Sequence, residues 1–184
     1  TSSPATDPDQ ARFSDARPNP TGRPCLPALA SATMNTGDVV TDFELPDETG
    51  AKRRLSEFLA KGPVVLFFYP AAMTMGCTRE SCHFRDLKSE FEGLGALRIG
   101  ISADTVAKQK QFSDTHSFDY PLLADTDGAV AETFGIKRGK FGAKLGAPVK
   151  RWTFVIGRDS KIIKTINSET KMDVHADEAL AALK

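Results

Sequence analysis

Two thiols and a hydroxyl carry most of the chemical potential of this chain. Thr74, Cys77 and Cys82 lie three and five residues apart in Pro70-Ala-Ala-Met-Thr-Met-Gly-Cys-Thr-Arg-Glu-Ser-Cys82. Residues 64–69 before them, Val-Val-Leu-Phe-Phe-Tyr, are a short continuous apolar run of β-branched and aromatic types, which predicts a strand buried on both faces. Pro70 ends it and a short loop follows. Phe84, Leu87, Phe91 and Leu94 then recur at spacings of three and four, which predicts a helix. Cys77, seven residues before Phe84, shares their inward face. Its sulfur falls in the first turn of that helix, where unpaired backbone N–H groups and the positive end of the helix dipole favour a thiolate. The thiolate is the nucleophilic form of cysteine.

Cys82 narrows the choice of electrophile. On an intact helix, positions five apart have Cα atoms roughly 8.7 Å apart and point about 140° away from each other. A disulfide needs about 4.4 to 6.8 Å, so the two sulfurs can join only if the helix unwinds. This suits a cycle with a long-lived reduced form, in which Cys77 becomes a sulfenic acid and is then captured by Cys82 after local unfolding. A thioredoxin-type Cys-x-x-Cys exchange fits it poorly. Attack of a thiolate on a peroxide moves negative charge from sulfur to the departing oxygen, so hydrogen-bond donors are needed at both ends of the O–O bond. The Thr74 hydroxyl and the Cys77 amide are placed to supply two of them. A permanent cation would complete the site, and arginine is the best type because it cannot lose its proton. Spacing alone does not choose among the arginines. Thr74 has a plainer reading too, as the cap of the helix start.

With 184 residues the chain is long enough for one domain with a real core and some spare sequence. Its 24 basic and 24 acidic residues are interspersed and cancel, leaving no electrostatic footprint for nucleic acid or an anionic membrane. A small or proteinaceous partner is expected instead. Cys25, Cys77 and Cys82 are too few for a secreted disulfide framework, so a reducing, cytoplasmic setting is expected. His83, His116 and His175 share no metal-ligand spacing with the cysteines, and no metal is expected. Residues 1–34, rich in Pro, Ser, Thr, Ala and Asp, are expected to be a disordered tail or non-native extension ahead of a domain at 35–184. Cys25 within the tail is read as incidental. Residues 26–32 make only a poor match to a targeting segment, because Pro27 interrupts a brief apolar run.

Other elements must position these groups. Residues 39–45 and 52–55 read as a small hairpin across a Pro-Asp-Glu-Thr-Gly turn, and Ser56 as the cap of a short helix to Leu59. Residues 97–102 read as a second buried strand, and Asp104 as the N-cap of a helix to about His116. Residues 120–124 give a third strand, and Asp127 caps a helix through Phe134 that Gly135 ends. Residues 137–148, with three glycines and several basic residues, read as a mobile loop. Residues 152–156 and 161–166 form a hairpin around Gly-Arg-Asp-Ser. Asp173 caps a closing helix with Val174, Ala179, Leu180 and Leu183 inward. The alternation predicts an α/β fold, a mixed central sheet with helices on both faces and an N-terminal β-hairpin. Ligands of such sheets bind beyond the carboxyl ends of the strands, where Cys77 falls.

The pattern Pro70-x-x-x-Thr74-x-x-Cys77 matches the signature of the peroxiredoxins. The run from Gly76 to Asp86, with Cys82 inside it, resembles the bacterioferritin comigratory protein, or peroxiredoxin Q, subfamily. Gly-Asp-x-x-x-Asp-Phe-x-Leu-Pro at 37–46 is similar as well, and the likeness runs from about Asn35 to Lys184. This resemblance implies a thioredoxin-like fold and thiol-dependent reduction of hydrogen peroxide or organic hydroperoxides, with no cofactor. It gives Cys77 the peroxidatic role and Cys82 the resolving role, with a thioredoxin or similar dithiol as reductant. Pro70, Thr74, Gly76 and Arg151 match residues that bind peroxide, and Glu80 matches one that orients the arginine. A monomer, at most weakly dimerising, is implied. Relatives commonly have Pro where Met75 stands and Asp where Ala71 or Ala72 stands. The rival readings are a thiol-disulfide oxidoreductase on the same fold and a redox-responsive binding protein or holdase. Neither needs Thr74 or Arg151.

Overall fold

The computed structural model describes residues 33–136 and 149–184. The segment carrying Cys25 and the glycine-rich stretch 137–148 lie outside them. In chain order the elements are β1 (Glu44–Pro46), β2 (Lys52–Arg54), α1 (Leu55–Leu59), β3 (Val64–Phe68), α2 (Met75–Asp86), α3 (Lys88–Gly93), β4 (Leu97–Ser102), α4 (Val106–His116), β5 (Leu122–Ala124), α5 (Ala129–Thr133), β6 (Trp152–Ile156), β7 (Ile162–Asn167) and α6 (Asp173–Leu183). β1 and β2 form the hairpin, and the other five strands form one sheet in the order β5-β4-β3-β6-β7. β3 runs parallel to β4 and antiparallel to β6. The result is the expected thioredoxin-like mixed sheet.

The apolar run of β3 is buried throughout, and its side chains alternate between two cores. Val64, Leu66 and Phe68 join Ile99, Ile101, Phe154 and Val130 on one face. Val65, Phe67 and Tyr69 join Phe84, Phe91, Phe112 and Leu180 on the other. Phe67 stacks on Phe84 with centroids 4.2 Å apart, which pins α2 to the centre of the sheet and turns Cys77 inward. The register does the rest. Phe68 pairs with Trp152, so Arg151, one residue before β6, lies beside the loop that leaves β3.

Several elements differ from the sequence expectation for identifiable reasons. The helix after Cys77 is two, because Leu87 leaves the helical region at φ −90°, ψ 23°. The apolar period survives the break, with Phe84 and Phe91 still 5.9 Å apart, so the pattern alone does not show it. The hairpin is shorter, pairing Glu44 to Arg54 and Pro46 to Lys52, while Val39 bridges to Lys161. β5 begins at Leu122, not at residue 120, because Pro121 has no N–H to give a ladder.

The expected caps also moved. Ser56 does not cap α1; its amide and hydroxyl both donate to Asp42, fourteen residues earlier. Thr105, not Asp104, accepts the Lys108 amide at the start of α4. The buried Asp125 takes the Val130 and Ala131 amides of α5, with burial pushing its carboxyl up, while Asp127 reaches only the Ala129 amide. Asp173 lies inside the first turn of α6 and pairs with Arg79 of α2. On α6 the buried residues are His175, Ala176, Ala179 and Leu180, while Val174 and Leu183 are only half-buried.

Candidate active site

Cys77 lies near the start of α2 and is 1% exposed. Glu80, three residues on and therefore on the same face of the helix, is wholly buried. Arg151 lies against both: its Nη2 donates to Cys77 Sγ at 3.4 Å, and its Nη1 donates to Glu80 Oε2. The Arg151 amide also donates to Glu169 Oε1, 3.3 Å away. One rigid, planar cation is thereby held between a sulfur and a carboxyl on successive turns of α2. For Arg151, burial works against the charge, yet Glu80 and the Cys77 sulfur together raise it above its ordinary range.

Burial pushes the Glu80 carboxyl up to about 8 against the opposing pull of Arg151. Its Oε1 has no hydrogen-bond partner. An unfolded glutamate holds its proton only to about pH 4.3. The folded chain therefore carries an extra proton between that value and about 8, and this group's contribution to stability is lost as pH rises through the window. Glu80→Gln is expected to flatten the fall. Urea unfolding at successive pH values checks this, and an unchanged slope would contradict it.

His175 Nδ1 lies 3.7 Å from Glu80 Oε1. Its Nε2 faces the Ser168 carbonyl at 2.9 Å, and its Nδ1 the Thr153 hydroxyl at 2.8 Å. A carbonyl can only accept, so Nε2 carries the proton and Nδ1 accepts from Thr153. Burial lowers the affinity of this imidazole for a second proton. The absence of metal-ligand spacing leaves His175 without a role in the sequence. Its spacing of four from Ala179 placed it on the inward face of α6, and that signal could have found it.

Thr74 occupies the position before α2 but makes no side-chain cap. Its hydroxyl donates to Ala71 O at 2.9 Å while its carbonyl accepts the Thr78 amide. Pro70 is half-buried where the loop leaves the sheet. A Cβ on Gly76 would meet Met172 Cε at 3.3 Å and Arg151 Nη2 at 3.4 Å, so a glycine here leaves room between α2 and the guanidinium. Cys82 is half-buried in the same unbroken helix, and both cysteines are free. Burial raises the Cys82 thiol, with Arg85 pulling the other way. The structure thus brings Cys77, Glu80 and Arg151 into contact and holds Cys82 apart from them.

A thioredoxin-like sheet with a buried cysteine at the head of α2 and an arginine against its sulfur defines a class of thiol-dependent redox protein. The chain belongs to the AhpC/TSA family, matched over residues 36–165, and within these peroxiredoxins to the bacterioferritin comigratory protein/peroxiredoxin Q subfamily. It is 60% identical over 151 residues to a putative peroxiredoxin of Mycobacterium tuberculosis, covering 82% of this chain and 97% of that one. Peroxiredoxin Bcp of Bacillus subtilis is 37% identical over 153 residues, 83% of this chain and 96% of the other. The crystal structure of peroxidoxin BcpB from Mycobacterium tuberculosis superposes with a TM-score of 0.78 at 62% identity, covering 82% of this chain and 96% of that one.

Proposed function

We propose that this thiol peroxidase uses Cys77 as the sulfur that meets peroxide and Cys82 as the sulfur that resolves it. The Cys77 thiolate attacks one oxygen of a hydroperoxide; an S–O bond forms, the O–O bond breaks, and the second oxygen leaves with a proton as water or alcohol. Sulfur is oxidised and peroxide reduced. The observation that carries the assignment is the 3.4 Å contact between Arg151 Nη2 and Cys77 Sγ. A fixed cation there stabilises the thiolate and, as the reaction advances, the charge moving onto oxygen. The Thr74 hydroxyl gives up only its bond to Ala71 O when it turns toward the substrate, while Pro70 shapes the loop around it and Gly76, in the first turn of α2, leaves room beside the guanidinium.

Cys82 then attacks the sulfenic sulfur, an S–S bond forms, and water leaves. A dithiol reductant of the thioredoxin type reopens the disulfide by exchange. With α2 intact, the resolving thiol lies outside bonding range, so at least part of residues 77–82 must unwind first. Cys82→Ser is expected to leave the first oxidation fast, accumulate a Cys77 sulfenic acid and slow turnover with the dithiol reductant. Trapping with a sulfenate-specific dione and mass spectrometry checks it; a Cys82→Ser protein that turns over at the parent rate would remove Cys82 from the cycle. Among the described residues, no helix is long and apolar enough to cross a membrane. The working form in this proposal is a cytoplasmic monomer.

A further inference from the structure

The loop between β3 and α2 is held by a carboxylate that the cycle above does not use. Asp104, just beyond the end of β4, accepts the Ala72 amide on Oδ2 at 2.6 Å. Among the described residues, this is the hydrogen bond that ties residues 70–74 to a part of the fold other than α2. The Thr74 hydroxyl bonds within the loop, and the Thr74 carbonyl bonds to α2. Next to Ala72, Met73 adopts φ 65°, a left-handed conformation that a side chain with a Cβ disfavours. The anchor therefore holds a strained segment.

Asp104 is itself locked from behind. Its Oδ2 also accepts the Ser102 hydroxyl at 2.8 Å, and its Oδ1 takes Lys108 Nζ at 2.6 Å. Ser102 Oγ accepts from Gln109 Nε2 at 3.0 Å, and Gln109 Oε1 accepts from the Tyr69 hydroxyl. Burial pushes the Tyr69 phenol far up, so it remains a donor. Each of these donors has its acceptor, and both ends of the network return to the same loop: Tyr69 immediately precedes Pro70, and Ala72 follows it two residues later. The network closes around Pro70 like a clasp.

We propose that Asp104 is a positioning residue of the peroxidase. Its bond to Ala72 holds Thr74 and the first turn of α2 in the geometry that oxidises Cys77, and release of that bond accompanies the unwinding that lets Cys82 close the disulfide. The proposal rests on the roles given to Cys77 and Cys82 above. It has a consequence that general damage to the fold would not produce, because loosening the clasp acts on the two steps in opposite directions. Oxidation slows as the site loses its geometry, and closure speeds up as α2 unwinds more readily.

The test measures the two steps separately. Oxidation is followed with hydrogen peroxide by stopped-flow fluorescence of Trp152 in the Cys82→Ser background. Disulfide closure is followed in the parent background at saturating peroxide. Asp104→Ala is expected to slow oxidation by about 10- to 100-fold, the scale of a displacement of roughly 1 Å at a reacting group, and to raise the rate of closure. Asp104→Asn keeps an oxygen for the Ala72 amide and is expected to stay within about threefold of the parent on both steps. Oxidation unchanged in Asp104→Ala, or both steps slowed together, would overturn the proposal. Should Asp104→Ala fail to fold, Ser102→Ala decides: the same opposed changes, smaller in size, support the clasp, and their absence overturns it. A parent Cys77 that remains a thiol under peroxide would instead overturn the Cys77 reading itself.

Discussion

Cys77→Ser is expected to lower peroxide reduction to the uncatalysed level, a loss of about 10⁴-fold or more, as when the nucleophile of a covalent mechanism is removed. A serine oxygen at this site cannot accept an oxygen atom and be resolved by a thiol, whatever its hydrogen bonds. The substitution nearly conserves volume, and Arg151 Nη2, 3.4 Å from Sγ, can donate to the hydroxyl. The fold should therefore persist while the chemistry stops. A consumption assay with hydrogen peroxide and a dithiol reductant checks the activity, and thermal unfolding checks the fold. Retention of more than a trace of the parent rate would move the reacting sulfur elsewhere.

Arg151→Lys is expected to be nearly as damaging, lowering kcat/KM by about 10²- to 10³-fold, the cost of removing a fixed donor from a charge-developing site. A lysine keeps the charge but not the fork. Arg151 reaches Cys77 with one nitrogen and Glu80 with another, and a single ammonium on a flexible stem does not reproduce both contacts. Arg151→Ala should in addition lower stability by roughly 1 to 3 kcal/mol, because the buried Glu80 carboxyl loses its partner. Pairing it with Glu80→Leu should recover the stability and none of the activity. Activity within tenfold of the parent for either single variant would show that the guanidinium is not the cation the reaction uses.

The two sides of the site were unequally legible in the sequence. Cys77 could be placed from local pattern alone, since an apolar run, a proline and an apolar period fix a strand, a loop and a helix face within about twenty residues. Glu80 and Arg151 depended on family likeness, because their contact is made across strand pairing that joins β3 to a segment more than eighty residues later. The same reason explains the misplaced caps. Asp42 serves Ser56 from fourteen residues away, and Asp104, which local rules assign to α4, turns back to Ala72. His175 was hidden differently: on an apolar face a histidine looks like packing until its partners Ser168 and Thr153 are seen. The break at Leu87 left no trace at all, since the buried positions on either side keep the spacing of one continuous helix.

The most direct measurement is a single turnover. Reduced protein is mixed with one equivalent of hydrogen peroxide, quenched at successive times and mapped by peptide mass spectrometry. An oxygen is expected to appear first on the peptide carrying Cys77, and this species is then expected to lose water as a Cys77–Cys82 disulfide forms. Oxygen arriving first on Cys82, or Cys77 staying a thiol while peroxide is consumed, would contradict it.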